Sequence, residues 1–235
     1  MTPSNMGFMA GRPGSTIRGA AAIGRLALGA LGLVLLLQIA LRLLYRVVPS
    51  RFLARMTLAL DAPIRRRVLS PTIISRRVGL RAGMRVLHLG RGNGVLTEAL
   101  AATVGTTGRV EAAALDSDER ERARSYLDTR GVDNASVVPG LNARLPFDDQ
   151  SFDAACLEST LGRVDDPQKT LTEVWRVLRP SGRLSISDVI SDPSFLLRNV
   201  VVGRAEKAGF EWLESFGDSV AYTINFRKPL SVAAI

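Results

Sequence analysis

Cysteine, histidine and, in its first third, acid are the scarce residues of this chain, and each scarcity excludes something. The one cysteine, Cys156, cannot form an internal disulfide, so a disulfide-stapled scaffold is ruled out and a reducing compartment fits. It lies in an apolar strand pattern and reads as packing. The one histidine, His88, sits in a strand next to a glycine turn. That excludes a His/Cys metal cluster and a Ser-His-Asp hydrolase, so no metal is expected. Residues 1–80 hold twelve arginines and a single acid, Asp61. Residues 81–235 hold 19 Lys+Arg against 21 acids, so the net charge of +9 belongs to the N-terminal third. This argues against a nucleic-acid-binding core and for an arm that meets anionic lipid headgroups. A nucleic-acid arm is the rival reading, and the neighbouring apolar run weakens it. Residues 81–235 contain no internal repeat and no low-complexity tract.

A long apolar run is present. Residues 1–20, rich in Gly, Pro, Ser and Thr, are expected to form a disordered tail. From Leu26 to Leu44 the chain is nearly all apolar, with Arg25 before it and Arg42 close to its end. At ~1.5 Å per residue these positions reach about 28 Å, close to a ~30 Å hydrocarbon core. Residues 21–48 are therefore expected to form a transmembrane anchor, with Tyr45 at the boundary. A cleaved signal peptide, an interfacial helix and a buried core helix are the competing readings. The signal peptide lacks an A-x-A site, and the interfacial helix would need a polar face. Arg42, Arg46, Arg51, Arg55 and Arg65-Arg66-Arg67 outweigh Arg12, Arg18 and Arg25. The positive-inside rule then places the following domain on the cytoplasmic side of a single-pass cell-membrane protein. Residues 49–80 read as a basic amphipathic connector, or as an N-terminal helix packed on the domain.

The strongest local pattern is Val86-Leu87-His88-Leu89-Gly90-Arg91-Gly92-Asn93-Gly94. An apolar strand enters a GxGxG turn, and a helical pattern follows. Glycines let the backbone approach a ligand closely, and the helix behind points free N–H groups at it. Downstream, strands are expected at Met84–Leu89, Arg109–Leu115, Ala135–Pro139, Phe152–Leu157 and Arg183–Val189. Helices are expected at Gly94–Val104, Asp118–Arg130, Pro167–Leu178 and Leu197–Ala208. Phe210–Phe216 and Ala221–Arg227 read as a closing hairpin. The expected fold of residues 81–230 is α/β: a doubly wound, mostly parallel seven-stranded sheet, with its ligand at the carboxyl ends of the strands.

Val95 stands where an NAD site would have its last glycine, and Asp116, ending the second strand, can accept both hydroxyls of a ribose. Three ordered motifs follow. They are Leu145-Pro146-Phe147-Asp148-Asp149-Gln150-Ser151-Phe152-Asp153, then Asp165-Asp166-Pro167 leading to Arg176-Val177-Leu178-Arg179-Pro180-Ser181-Gly182, then Tyr222-Thr223-Ile224-Asn225-Phe226-Arg227-Lys228-Pro229. Over residues 69–229 this order resembles the class I S-adenosylmethionine (SAM)-dependent methyltransferases, in a membrane-associated bacterial branch related to the ubiquinone/menaquinone methyltransferase-like group.

The resemblance implies SAM as cofactor and assigns roles. Gly90, Gly92, Asn93 and Gly94 would pass under its methionine part. Asp116 would hold the ribose, with Ser117 beside the adenosine. Asn142 and Ala143 would lie along the adenine edge. Glu158 and Ser159 would face the amino-acid end. The chain also departs from the family. His88 replaces the usual acid near the SAM ammonium, Arg91 enters the turn, Leu141 replaces an adenine-binding Asp, and Gly162-Arg163 replaces a His-containing pair. Candidates for a base or substrate-orienting group are Glu158, Arg163 and Asp188. The activity expected is methyl transfer to a lipophilic or membrane-associated small molecule. A catalytically silent membrane scaffold and an NAD-binding oxidoreductase are the alternatives.

Overall fold

The computed structural model describes residues Leu36, Ala40, 69–90, 93–140 and 144–230. The chain divides into two units, Met1–Pro49 and Ser50–Ile235. In the first, Leu36 and Ala40 are helical. The rest of the expected anchor at 21–48, the tail at 1–20 and connector residues 49–68 lie outside the described residues. Among the described residues no helix is long and apolar enough to cross a membrane.

In the second unit, α1 (Pro71–Val78) precedes β1 (Arg85–Leu89), α2 (Val95–Val104), β2 (Arg109–Ala114), α3 (Ser117–Thr129) and β3 (Ala135–Pro139). Then come β4 (Phe152–Glu158), α4 (Pro167–Val177), β5 (Leu178–Val189), α5 (Arg198–Lys207), β6 (Glu211–Gly217) and β7 (Ala221–Arg227). The sheet order is β3-β2-β1-β4-β5-β7-β6. β1 to β5 pair in parallel, and β7 runs antiparallel to both neighbours. Strand order therefore reverses beside β1, the strand that carries the glycine turn.

Local chemistry sets the helix starts. Asp166 accepts hydrogen bonds from Gln168 N and Lys169 N, with Pro167 opening α4. Asp116 caps α3 in the same way, accepting from Glu119 N at 2.7 Å. Ser70 caps α1, and Gly79 closes it at φ 73°, in the left-handed region.

Alternation along the strands divides the core between the two faces. Leu87, Leu89, Leu157, Ile186, Ile224 and Phe226 meet Leu171 and Val174 of α4 and Val201 and Ala205 of α5. Val86, Val110, Ala154 and Cys156 meet Ile74 and Val78 of α1 and Leu96 and Leu100 of α2. Of the two readings of the connector, residues 69–78 take the packed one. Arg77 donates to Thr223 Oγ1, and Asn225 donates to the Arg77 carbonyl at 2.6 Å. The domain thus extends upstream of residue 81, to Leu69, which is buried.

β5 begins at Leu178 rather than at the expected Arg183. Phe152 pairs with Leu178 and Ala154 with Arg183, so the turn between them bulges out of register. Ser181 in that turn has φ 62°.

The motif residues are the fasteners of the fold. Arg176 donates to the carbonyls of Leu145 and Phe147 and to the carboxylates of Glu173 and Asp149. These bonds hold its guanidinium protonated and hold Glu173 below the usual carboxylate range. Asp153 accepts from Arg85 N and Arg179 Nη1. Lys228 is buried, and its Nζ donates to the carbonyls of Trp175 and Leu178, each at 2.8 Å.

Candidate functional site

The carboxyl ends of β1, β2 and β4 gather most of the expected cofactor residues. On β1, His88 shares a face with Val86 and is buried. Its Nδ1 lies 2.9 Å from Thr97 Oγ1 in α2. Its Nε2 is buried without a hydrogen-bond partner among the described residues. A Cβ added at Gly90 would sit 2.3 Å from that Nε2, so the ring folds over the first glycine of the turn. Any side chain at 90 would displace it. Burial pushes the imidazole pKa down to about 4, and the charge of nearby Glu158 offsets this only in part. The ring is therefore neutral at physiological pH. In the tautomer that donates from Nδ1 to Thr97 Oγ1, Nε2 is an acceptor.

Gly94 has φ 78° and N-caps α2. A Cβ there would lie 2.7 Å from Tyr126 Cδ1 and 3.2 Å from the Ala123 carbonyl oxygen. The absent side chain at 94 thus gives α3 room to lie close, and it sets the angle at which α2 leaves the turn. Asn93 is exposed, and its Oδ1 accepts from Val95 N. Arg91, Gly92, Leu141, Asn142 and Ala143 lie outside the described residues.

At the end of β2, Asp116 and Ser117 are exposed. The Asp116 carboxylate spends one oxygen on the α3 cap. At the end of β4, Glu158 is buried and lies on the same face as Cys156. Ser159 follows with φ 48°, and Thr160 donates to the Leu89 carbonyl at 2.7 Å. That bond fastens the loop after β4 to the last residue of β1.

The three catalytic candidates take different partners. Glu158 stays beside His88. Arg163 forms an ion pair with Glu119 of α3 at 2.5 Å. Asp188 lies at the far end of β5, accepting from Ser159 Oγ, Val189 N and Leu196 N. Burial, reinforced by the charge of Asp192, raises the Asp188 carboxyl to about 7. Gly162 also has a structural reason. A Cβ there would stand 1.7 Å from the Ser194 carbonyl oxygen, so the segment after β5 closes down on the loop after β4. Among the described residues no cluster of His, Cys, Asp or Glu could hold a metal ion.

Sequence reasoning missed Thr97, Thr160 and Glu119. Thr97 had a signal, since it is buried in the first turn of the helix that follows the glycine turn. Glu119 was masked by its position. Asp116-x-x-Glu119 has the spacing of a capping box, which accounts for it locally. Only half of that box forms, and the Glu119 carboxylate turns to Arg163 instead.

The family described as "Methyltransferase domain" matches residues 87–186, from β1 to the middle of β5. The ubiquinone/menaquinone biosynthesis C-methyltransferase UbiE of Hahella chejuensis is 35% identical over 145 residues, 61% of this chain and 56% of that protein. The UbiE of Haemophilus ducreyi is 37% identical over 125 residues, 52% of this chain and 48% of that protein. The chain thus spans about half the length of these curated relatives. A SAM-dependent methyltransferase from Aquifex aeolicus shares the fold, with a TM-score of 0.67 at 23% identity, covering 74% of this chain and 97% of that one. Over residues 87–186 the chain is therefore similar to the methyltransferase-domain family, over about half of their length it is similar to these UbiE proteins, and its fold is that of the solved SAM-dependent methyltransferase.

Proposed function

We propose that this chain transfers a methyl group from SAM to a lipophilic or membrane-associated small molecule. The observation that carries the cofactor reading is the Nε2 of His88 above Gly90, buried and without a hydrogen-bond partner among the described residues. The family's usual acid would attract the SAM ammonium by charge. Here a neutral imidazole acceptor does it by hydrogen bond, and burial keeps the ring from charging and repelling the cation. The residues present therefore fit SAM. Gly90 and Gly94 leave the backbone open to the amino-acid end. Asp116 holds the ribose with the oxygen that its helix cap leaves over. Glu158 adds negative charge beside His88. SAM supplies a methyl group already activated on a sulfonium, so alignment of the acceptor is the protein's main task. Asp188, held by Ser159 at the carboxyl end of β5, takes up a proton where the acceptor must lose one.

The lipophilic acceptor is supported by the apolar run Leu26–Leu44, by the arginines around it and by the quinone chemistry in the names of the relatives. On this reading the chain is a single-pass membrane protein with the methyltransferase domain on the cytoplasmic side. The test is calorimetric titration of the full chain in mild detergent with SAM and S-adenosylhomocysteine, with Asp116→Ala as control, followed by methyl incorporation into membrane extracts. Micromolar binding lost in Asp116→Ala, together with a methylated lipid product, is the expected result. A folded sample that binds neither ligand would make the silent-scaffold reading the better one.

A further inference from the structure

The ion pair between Arg163 and Glu119 joins residues 44 positions apart, and its place in the topology gives it meaning. Glu119 lies in the first turn of the helix that follows β2, and Arg163 lies in the loop that follows β4. In the sheet, β2 and β4 stand on opposite sides of β1. The pair therefore reaches across the carboxyl end of β1, where the glycine turn begins. The same loop is held down on β1 by the Thr160 hydroxyl on the Leu89 carbonyl, and Arg163 N donates to the Thr160 carbonyl.

The pair is also unsaturated. Arg163 Nη2 meets Glu119 Oε1, while Arg163 Nη1 and Glu119 Oε2 are both buried without a hydrogen-bond partner among the described residues. Leaving charged atoms buried and unpaired is costly, and a guanidinium forks naturally onto a carboxylate with two N–H groups. One bond of a possible two is made here. An arginine held this way is set to accept a better-matched carboxylate.

We propose that Arg163 recognises the carboxylate at the amino-acid end of SAM, and that Glu119 is the partner it keeps when no cofactor is bound. This rests on the SAM reading above. The neighbouring groups divide the cofactor by charge. The neutral Nε2 of His88 suits the ammonium, the Asp116 carboxylate suits the ribose hydroxyls, and a cation with a spare buried N–H suits the carboxylate. Binding exchanges one charge-assisted pair for another and releases Glu119. Arg163 is thus a cofactor-recognition residue, held by Glu119 until the carboxylate of the cofactor takes its place.

Two ligands separate this role from a structural one. S-adenosylhomocysteine keeps the amino-acid end, whereas 5′-methylthioadenosine has the same adenosine and sulfur without it. Calorimetry on the full chain in detergent is expected to show Arg163→Gln weakening S-adenosylhomocysteine roughly tenfold to a hundredfold, the worth of a hydrogen bond to a charged group. Methylthioadenosine affinity should stay unchanged. Arg163→Lys should recover part of the loss, and Glu119→Gln, which removes the competitor, should tighten S-adenosylhomocysteine alone. Equal weakening of both ligands in Arg163→Gln would overturn the proposal in favour of a structural bridge, and so would no change in either. A wild-type chain that binds methylthioadenosine as tightly as S-adenosylhomocysteine would overturn it while leaving the SAM site standing. A wild-type chain that binds neither would remove the SAM reading and this inference together.

Discussion

Replacing His88 with glutamine isolates the free energy tied up in keeping that ring neutral. In the unfolded chain the imidazole titrates near its ordinary 6.5, and in the folded protein near 4. At about 1.4 kcal/mol per pK unit, the difference amounts to about 3 kcal/mol. The sign follows from proton binding. Between these two values the unfolded chain holds a proton that the folded chain refuses. The contribution is therefore complete above pH 6.5 and is lost as pH falls to 4. Asp188 works in the opposite sense. Its carboxyl is raised from 3.8 to about 7, so its contribution is present below 3.8 and is lost as pH rises through 7. The two act in opposite directions between about pH 4 and 6.5 in the wild type, so the His88 effect is read from a difference rather than from the wild-type profile alone. Glutamine keeps a polar group opposite Thr97 and does not titrate. Urea unfolding of both proteins at several pH values between 4 and 7 gives the difference, from which Asp188 drops out. The wild type should gain about 3 kcal/mol over the variant across that range. A difference that stays constant with pH would refute the assignment of a buried, neutral ring.

Three further outcomes are expected. Gly162→Ala forces a Cβ against the Ser194 carbonyl oxygen, which stands 1.7 Å from the ideal position. The loss should be about 1–3 kcal/mol, seen as a lower thermal midpoint. Lys228→Met leaves the carbonyls of Trp175 and Leu178 without their donor and removes a cation that lies 3.7 Å from the Trp175 ring centroid. It should cost about 3 kcal/mol in denaturant unfolding while leaving cofactor affinity in place. For turnover, the ionised form of Asp188 should be the active one, so the rate should rise with pH through about 7. Asp188→Asn should remove that rise, and an unchanged pH–rate profile would discharge Asp188 from the reaction.

Much of the fold was legible because the signals are local. The strand positions follow from short apolar runs, and the expected starts of α3 and α4 lie within one turn of Asp116 and Asp166-Pro167, which cap them, whereas the start of α1 at Ser70-Pro71 was not read. The glycine turn was legible for the same reason. What escaped the sequence depends on distance. No pattern near Arg163 names Glu119 as its partner, and Glu119 already had a local explanation in the cap of α3. Gly162 looked like a lost family residue. Its reason is the Ser194 carbonyl, 32 positions away. The His88 departure was ambiguous in the sequence because its meaning turns on charge. Burial, a tertiary property, decides that the ring is neutral. The extra length of β5 was hidden by the Arg179–Gly182 turn, which reads as a loop and interrupts the pairing.

Cys156 sits mid-strand on β4, opposite His88 on β1 and Ser185 on β5, and is fully buried. Burial, with the charge of Glu158 beside it, raises its thiol pKa far above neutral. The chain's one thiol is therefore silent to alkylating reagents as long as the central strands stay together. This turns the protein into a natural host for single-site labelling. A cysteine placed on any exposed position takes a dye alone, and the native thiol does not compete. The same silence makes Cys156 a clock. The rate at which it reacts with a thiol reagent reports how often the middle of the sheet opens, and a ligand that ties β1 to β4 should slow it.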